Sequence, residues 1–166
     1  MVSSLAQAGA EVTVAMTGGA TRFVTPLTFQ ALSGRPVYTD IWDHLETHDP
    51  QHVALGRSAD AMLIAPCTMD FAARLATGRT DDVVSLIVST IDRKRTPVLV
   101  APSMNAVMLE QPATRRNLVQ LAEDGFDVLD SDSGWQACRT EGAGRLPEPA
   151  ALLAALETAL TQRTSH

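Results

Sequence analysis

Ala61-Met62-Leu63-Ile64-Ala65-Pro66 is an unbroken apolar run that stops at a proline. No position in it alternates toward water. It therefore suits a strand covered on both faces, as the strands of a parallel sheet are. Pro97-Val98-Leu99-Val100-Ala101-Pro102 repeats the pattern.

The segments around these two runs read as helices and shorter strands. Residues 70–77 read as a helix closed by Gly78, and residues 81–90 as a helix rich in Val, Ile and Leu. Residues 112–123 are amphipathic and end before Gly125; Phe126-Asp127-Val128-Leu129 reads as the next strand. Residues 149–160, rich in Ala and Leu, give a final helix. Toward the amino terminus, residues 1–8 read as the end of a helix stopped at Gly9. Glu11-Val12-Thr13-Val14-Ala15-Met16 reads as a short buried strand, and Thr17-Gly18-Gly19 as its turn. Residues 26–32 suit a helix with proline in its first turn, closed by Gly34. Pro36-Val37-Tyr38-Thr39 suits a short strand, residues 42–50 a polar loop, and residues 52–58 a short helix or turn.

Strands alternate with helices throughout, which predicts an α/β domain with a parallel sheet and helices on both faces. Ligands of such sheets bind beyond the carboxyl ends of the strands. Thr17, then Thr68 and Asp70, then Ser103 to Asn105 stand at those ends.

The 166 residues fit one domain, expected over 1–166, that can bury its own core. The net charge of −6 argues against a broad nucleic-acid surface, which needs a basic face. The run Arg93-Lys94-Arg95 reads as a solvated helix end rather than a functional patch. Two widely separated cysteines, Cys67 and Cys138, give neither a disulfide framework nor metal-ligand spacing, so no metal is expected. Unpaired cysteines suit a reduced, cytoplasmic setting. No apolar run approaches the ~20 residues of a membrane span, so no membrane partner is expected.

Taken singly, the polar candidates have plain readings. His52 suits a surface histidine at a helix start. Asn105 suits a helix cap. Cys138 suits an inert loop thiol, and Cys67, after a buried strand, a small packing residue. Met104 and Met108 suit packing.

Three ordered segments change that. The first is Met16-Thr17-Gly18-Gly19-Ala20-Thr21-Arg22-Phe23-Val24-Thr25-Pro26-Leu27-Thr28-Phe29-Gln30-Ala31-Leu32-Ser33-Gly34, with Thr39-Asp40-Ile41-Trp42 after it. The second is His52-Val53-Ala54-Leu55-Gly56-Arg57-Ser58-Ala59-Asp60, running into Leu63-Ile64-Ala65-Pro66-Cys67-Thr68. The third is Pro102-Ser103-Met104-Asn105-Ala106-Val107-Met108, with the later Cys138-Arg139-Thr140-Glu141-Gly142-Ala143-Gly144-Arg145. Together they resemble the homo-oligomeric flavin-containing cysteine decarboxylases, over nearly the whole chain. The Pro-x-Met-Asn segment joined to Cys-x-x-x-Gly-x-Gly is most similar to phosphopantothenoylcysteine decarboxylases.

The resemblance implies a flavodoxin-like (Rossmann-like) three-layer sandwich that binds FMN and assembles as a trimer or a dodecamer of trimers. The implied reaction takes 4'-phospho-N-pantothenoylcysteine to 4'-phosphopantetheine in coenzyme A biosynthesis. Oxidation of the cysteine side chain to a thioaldehyde makes the carboxylate labile, and the enethiol left by carbon dioxide is reduced again. The implied partner, besides further copies of the chain, is the phosphopantothenate–cysteine ligase that makes the substrate. Two other readings stay open: a peptidyl-cysteine decarboxylase, and an inactive FMN-binding regulatory protein.

By the same resemblance, His52 serves proton transfer or the substrate carboxylate, Asn105 holds that carboxylate, and Cys138 protonates the enethiol. The glycine-rich segment around Cys138 is expected to be a mobile flap. Thr17, Phe23, Cys67, Thr68, Met69, Asp70 and Ser103 are the implied FMN contacts. Asn105, Met108, Ala137, Arg139 and Arg145 are the implied substrate contacts. Asp70 stands where the family has asparagine, and Leu109 where it has tryptophan. Members begin with a strand and a phosphate-gripping turn upstream of the point matched by Met1, so the fold is expected here with its first strand missing.

Overall fold

The computed structural model describes residues 1–42, 50–136, 139 and 141–163. By contacts the chain forms two compact units. One comprises 1–58 and 80–91, the other 59–79 and 92–166.

In the first unit, α1 (Val2–Gln7) ends before Gly9, whose φ of 86° is the left-handed conformation that glycine adopts without penalty. Strand β1 (Val14–Ala15) pairs in parallel with β2 (Val37–Tyr38), Val14 opposite Val37. A parallel pair needs a crossover. A short 3-10 turn (Ala20–Arg22) and α2 (Pro26–Ser33) supply it. Proline opens α2 and Gly34, at φ 68°, closes it, as the sequence predicts. Both strands are shorter than expected, because the ladder extends only where the two backbones run side by side; the Met16 N–H to Tyr38 carbonyl bond (2.8 Å) is its last rung. The unit continues with α3 (Gln51–Ser58) and α5 (Val83–Ser89). Most of the expected loop at 42–50 lies outside the described residues.

Helix α5 is built from Val-Val-Ser-Leu-Ile-Val-Ser, a composition that also suits a strand. Asp82 decides for the helix. Its carboxylate accepts the N–H groups of Val84 (2.9 Å) and Ser85 (3.1 Å), the donors a helix start leaves unpaired. Val83, Val84, Ile87 and Val88 are then buried.

The second unit centres on three parallel strands in the order β3 (Met62–Cys67), β4 (Val98–Pro102), β5 (Asp127–Val128). Leu63 lies opposite Leu99 and Ile64 opposite Val100. The register shifts between Ile64 and Cys67, across Pro66, which has no N–H to give the ladder. All five residues of β4 are buried. Helix α4 (Met69–Ala76) packs on α7 (Pro112–Glu123), where Leu121 is fully buried. Helix α6 (Ala106–Leu109) is a single turn, and α8 (Pro149–Arg163) ends the described chain.

One element departs from expectation. The glycine-rich segment read as a flap contains β7 (Glu141–Arg145), paired antiparallel with β6 (Asp132–Trp135). Gly134 faces Gly142 across this hairpin. Glycines carry no strand signal, so the sequence pattern concealed it.

Candidate active site

The carboxyl ends of β3 and β4 are joined by one bond. The Ser103 N–H donates to the Cys67 carbonyl at 2.9 Å. Cys67 is 0% exposed, and burial pushes its thiol up to about 12. A thiol so placed stays neutral and behaves as a small apolar side chain. Beyond it Thr68 caps α4, its hydroxyl accepting the Phe71 N–H (3.2 Å). Met69 is half-buried and Asp70 exposed. The Asp70 carboxylate pairs with Arg74 one turn on (3.2 Å), which offsets its charge at the helix start.

Past Ser103 the chain turns into α6. Asn105 caps this helix, its Oδ1 accepting the Val107 N–H at 2.8 Å. The cap commits the amide oxygen to the start of the helix. The plain reading of Asn105 as a cap is thus realised. Met108 is partly exposed, and its carbonyl accepts the hydroxyl of buried Thr114 (2.7 Å).

The hairpin lies against this turn. Met104 N–H donates to the Gly144 carbonyl at 2.9 Å. A β-carbon at Gly144 would collide with the Met104 carbonyl, and its φ of 104° is unsuited to other residues. Gln136 is buried between them. Its Nε2 donates to the carbonyls of Ala143 (2.6 Å) and Met104 (3.4 Å), and its Oε1 accepts the Ala106 N–H (3.4 Å). Sequence reasoning missed Gln136; its only local signal is a polar residue two positions before Cys138. Arg139 has φ 64°, uncommon for a side-chain-bearing residue, and its N–H donates to the Gln136 carbonyl at 2.9 Å. Arg145 is ion-paired with Glu148. Ala137 and Cys138 lie outside the described residues.

Thr17, Phe23 and His52 belong to the first unit. The Thr17 hydroxyl accepts the Ala20 N–H (3.2 Å) and so closes the turn after β1. Phe23 is 91% exposed, far from the usual state of an aromatic ring. His52 stands in the first turn of α3, half-buried, and its carbonyl accepts the Thr90 hydroxyl at 2.9 Å.

Residues 1–161 match the family described as Flavoprotein. The chain belongs to the Flavoprotein family. It is 39% identical over 165 residues to the coenzyme A biosynthesis bifunctional protein CoaBC of Bacillus subtilis (strain 168), covering 99% of this chain and 40% of that protein. The chain thus spans well under half the length of this curated relative. Among solved structures it is similar to the FMN-dependent cysteine decarboxylase SpaF, with a TM-score of 0.80 and 32% identity over 98% of this chain and 87% of that one. It is also similar to the FMN binding protein AtHal3, with a TM-score of 0.81 and 27% identity over 95% and 85% of the two chains. The resemblance read from the sequence and the flavodoxin-like α/β fold it implied are therefore borne out.

Proposed function

We propose that this Flavoprotein-family chain is an FMN-dependent carboxy-lyase that converts 4'-phospho-N-pantothenoylcysteine to 4'-phosphopantetheine. The observation that carries the reading is the Asn105 turn, held between the end of β4 and the hairpin that flanks Cys138. The family match and the names of its relatives support it.

The residues present suit a flavin mononucleotide. Thr68 and Ser103 offer hydroxyls and backbone polar groups at adjoining ends of parallel strands, over the apolar floor of Cys67. A flat ring system with polar edges asks for that combination. Thr17, Phe23, Cys67, Thr68, Met69, Asp70 and Ser103 would hold it. Bound there, FMN would supply the two-electron oxidation of the substrate's cysteine side chain and return the electrons afterward, so no outside oxidant is consumed.

The chain's own residues do the rest. The Nδ2 donors of Asn105 orient the substrate carboxylate without adding a full charge, so neutral carbon dioxide can leave. His52 serves proton transfer or binds the substrate carboxylate. Cys138 donates a proton to the enethiol carbon. Met108, Ala137, Arg139 and Arg145 line the substrate, Arg145 exchanging Glu148 for the substrate's phosphate. The whole of residues 1–166 serves as one decarboxylase domain. Its oligomer is a trimer or a dodecamer of trimers, its setting cytoplasmic, and its partner the ligase that makes the substrate.

The test is the visible spectrum of the purified protein after FMN addition and gel filtration, followed by an assay of phosphopantothenoylcysteine. Flavin bands eluting with an oligomer-sized peak are expected, with carbon dioxide release and formation of 4'-phosphopantetheine; Cys138→Ser should still release carbon dioxide in a first turnover but stop at the enethiol, without forming 4'-phosphopantetheine. Retained flavin with turnover only of peptides ending in cysteine would replace this substrate assignment with the peptidyl one. Retained flavin with no turnover of either would leave a binding protein.

A further inference from the structure

His52 stands in the first turn of α3, where a helix cannot pair its own N–H groups. Its backbone is tied from two sides. The Pro50 carbonyl accepts the Val53 N–H (2.9 Å) and the Ala54 N–H (3.2 Å), which closes the turn around it. The second tie comes from 38 positions away. The Thr90 hydroxyl donates to the His52 carbonyl at 2.9 Å and shares its proton with the Ile87 carbonyl at 2.8 Å. Thr90 is itself anchored at the end of α5. Its N–H bonds the Ile87 carbonyl (3.0 Å), and Ile87 and Val88 are core residues.

Helix geometry explains why this contact needs a glycine. The carbonyl of residue 52 in a helix points toward the N–H of residue 56. A hydroxyl reaching that carbonyl from outside therefore meets whatever side chain residue 56 carries. Residue 56 is a buried glycine, and a β-carbon there would stand 2.1 Å from the Thr90 hydroxyl oxygen.

We propose that Thr90 is a positioning residue for His52, setting the rotation of α3 about its axis and so the direction of the imidazole. The kinetic consequence rests on the decarboxylase reading. The structural one rests on geometry within one compact unit, which holds His52, Gly56 and Thr90 together. The lever is long. A side-chain tip lies about 5–6 Å from its helix axis, so a turn of about 10° moves it by about 1 Å. A misplacement of about 1 Å costs on the order of a hundredfold in rate. The residue type follows. Threonine joins a donor to a β-branched stem with few rotamers. Serine keeps the donor. Valine keeps the shape, loses the donor, and sets a methyl against two carbonyl oxygens closer than the ~3.3 Å that carbon accepts.

Two readouts on the FMN-loaded protein test the proposal. Carbethoxylation of His52 by diethyl pyrocarbonate, located by mass spectrometry, reports the imidazole without requiring turnover. Kinetics with phosphopantothenoylcysteine report its use. Thr90→Val should speed the labelling about threefold or more and lower kcat/KM about tenfold or more. Thr90→Ser should bring both readouts back to within about twofold of wild type, because it restores the donor. Gly56→Ala, which evicts the hydroxyl, should reproduce the valine defects. A tie that serves packing alone would lower the urea midpoint and leave labelling and kcat/KM of the folded protein unchanged. Unchanged labelling in folded Thr90→Val, a kcat/KM equal to wild type, or a serine variant as defective as valine overturns the proposal. If Thr90→Val does not fold, Thr90→Ala takes its place, since it removes the hydroxyl and leaves room. If the wild-type protein decarboxylates nothing, the proposed function fails, and the labelling rates of these variants still decide the role of Thr90.

Discussion

The Thr90 hydroxyl fills the space that a β-carbon on Gly56 would need. It sits between α3 and the end of α5, its one proton shared between the carbonyls of His52 (2.9 Å) and Ile87 (2.8 Å). A glycine inside a helix costs about 0.5–1 kcal/mol relative to alanine. Here it admits the side chain that ties the His52 turn to α5.

Gly56→Ala should therefore destabilise the protein, by about 1–3 kcal/mol despite the better helix propensity of alanine. Urea denaturation monitored by circular dichroism measures it. Thr90→Ala should lose the two bonds but make room. The double variant should be more stable than the sum of the single effects predicts, by about 0.5 kcal/mol or more. Strict additivity would show that the two residues do not share this space.

Asp82→Ala should cost about 1–2 kcal/mol, because the Asp82 carboxylate serves the N–H groups of Val84 and Ser85 and also accepts the Ser85 hydroxyl (2.8 Å). Asp82→Asn should cost much less, since asparagine caps about as well. A shift in urea midpoint that is equal for both would mean that charge, not capping, holds the start of α5.

Cys67 gives a prediction at alkaline pH. Burial lifts its thiol from 9.0 to about 12. Above pH 9 the unfolded chain releases this proton and the native one retains it. Stability therefore falls as pH rises, by about 1.4 kcal/mol per unit, until the native thiol itself titrates. Below pH 9 the contribution is constant. Cys67→Ala should lose this component of the slope while lowering stability at neutral pH. An identical slope in both proteins would remove Cys67 as its source.

The legible parts of the fold were those in which one segment carries its own signal. Strand β4 is buried along its whole length and so reads as an apolar run; β3 reads the same way although, of its six residues, only Ile64 and Cys67 are buried and Pro66 is exposed, so the expected cover on both faces is not met there. Helix α2 is bracketed by Pro26 and Gly34. The β6–β7 hairpin was not legible, because Gly134, Gly142 and Gly144 provide no alternating pattern. It is specified by close backbone approach and by Gln136, whose partner Met104 lies 32 positions away. Asn105 was legible as a polar residue after a strand. That its oxygen would cap α6 needed the geometry.

Substitutions that treat the amide's oxygen and its donors differently separate structure from chemistry at Asn105. Asn105→Asp keeps an oxygen for the Val107 N–H, and aspartate caps helices as well as asparagine, so stability should change by less than about 0.5 kcal/mol. The amide donors are lost, however, and in the proposed site a negative charge would face the substrate carboxylate. Hydrogen bonds to a charged group contribute about 1.5–3 kcal/mol each, so decarboxylation should fall about tenfold to a hundredfold from that loss alone, and further from the repulsion. Asn105→Ala should lose both the cap and the donors, adding about 1 kcal/mol of destabilisation to a similar kinetic defect. Flavin retention should be unchanged in both, because Asn105 is not among the residues proposed to hold FMN. Full activity in Asn105→Asp would show that this residue serves only as the cap of α6, and the substrate carboxylate would have to be held by another group.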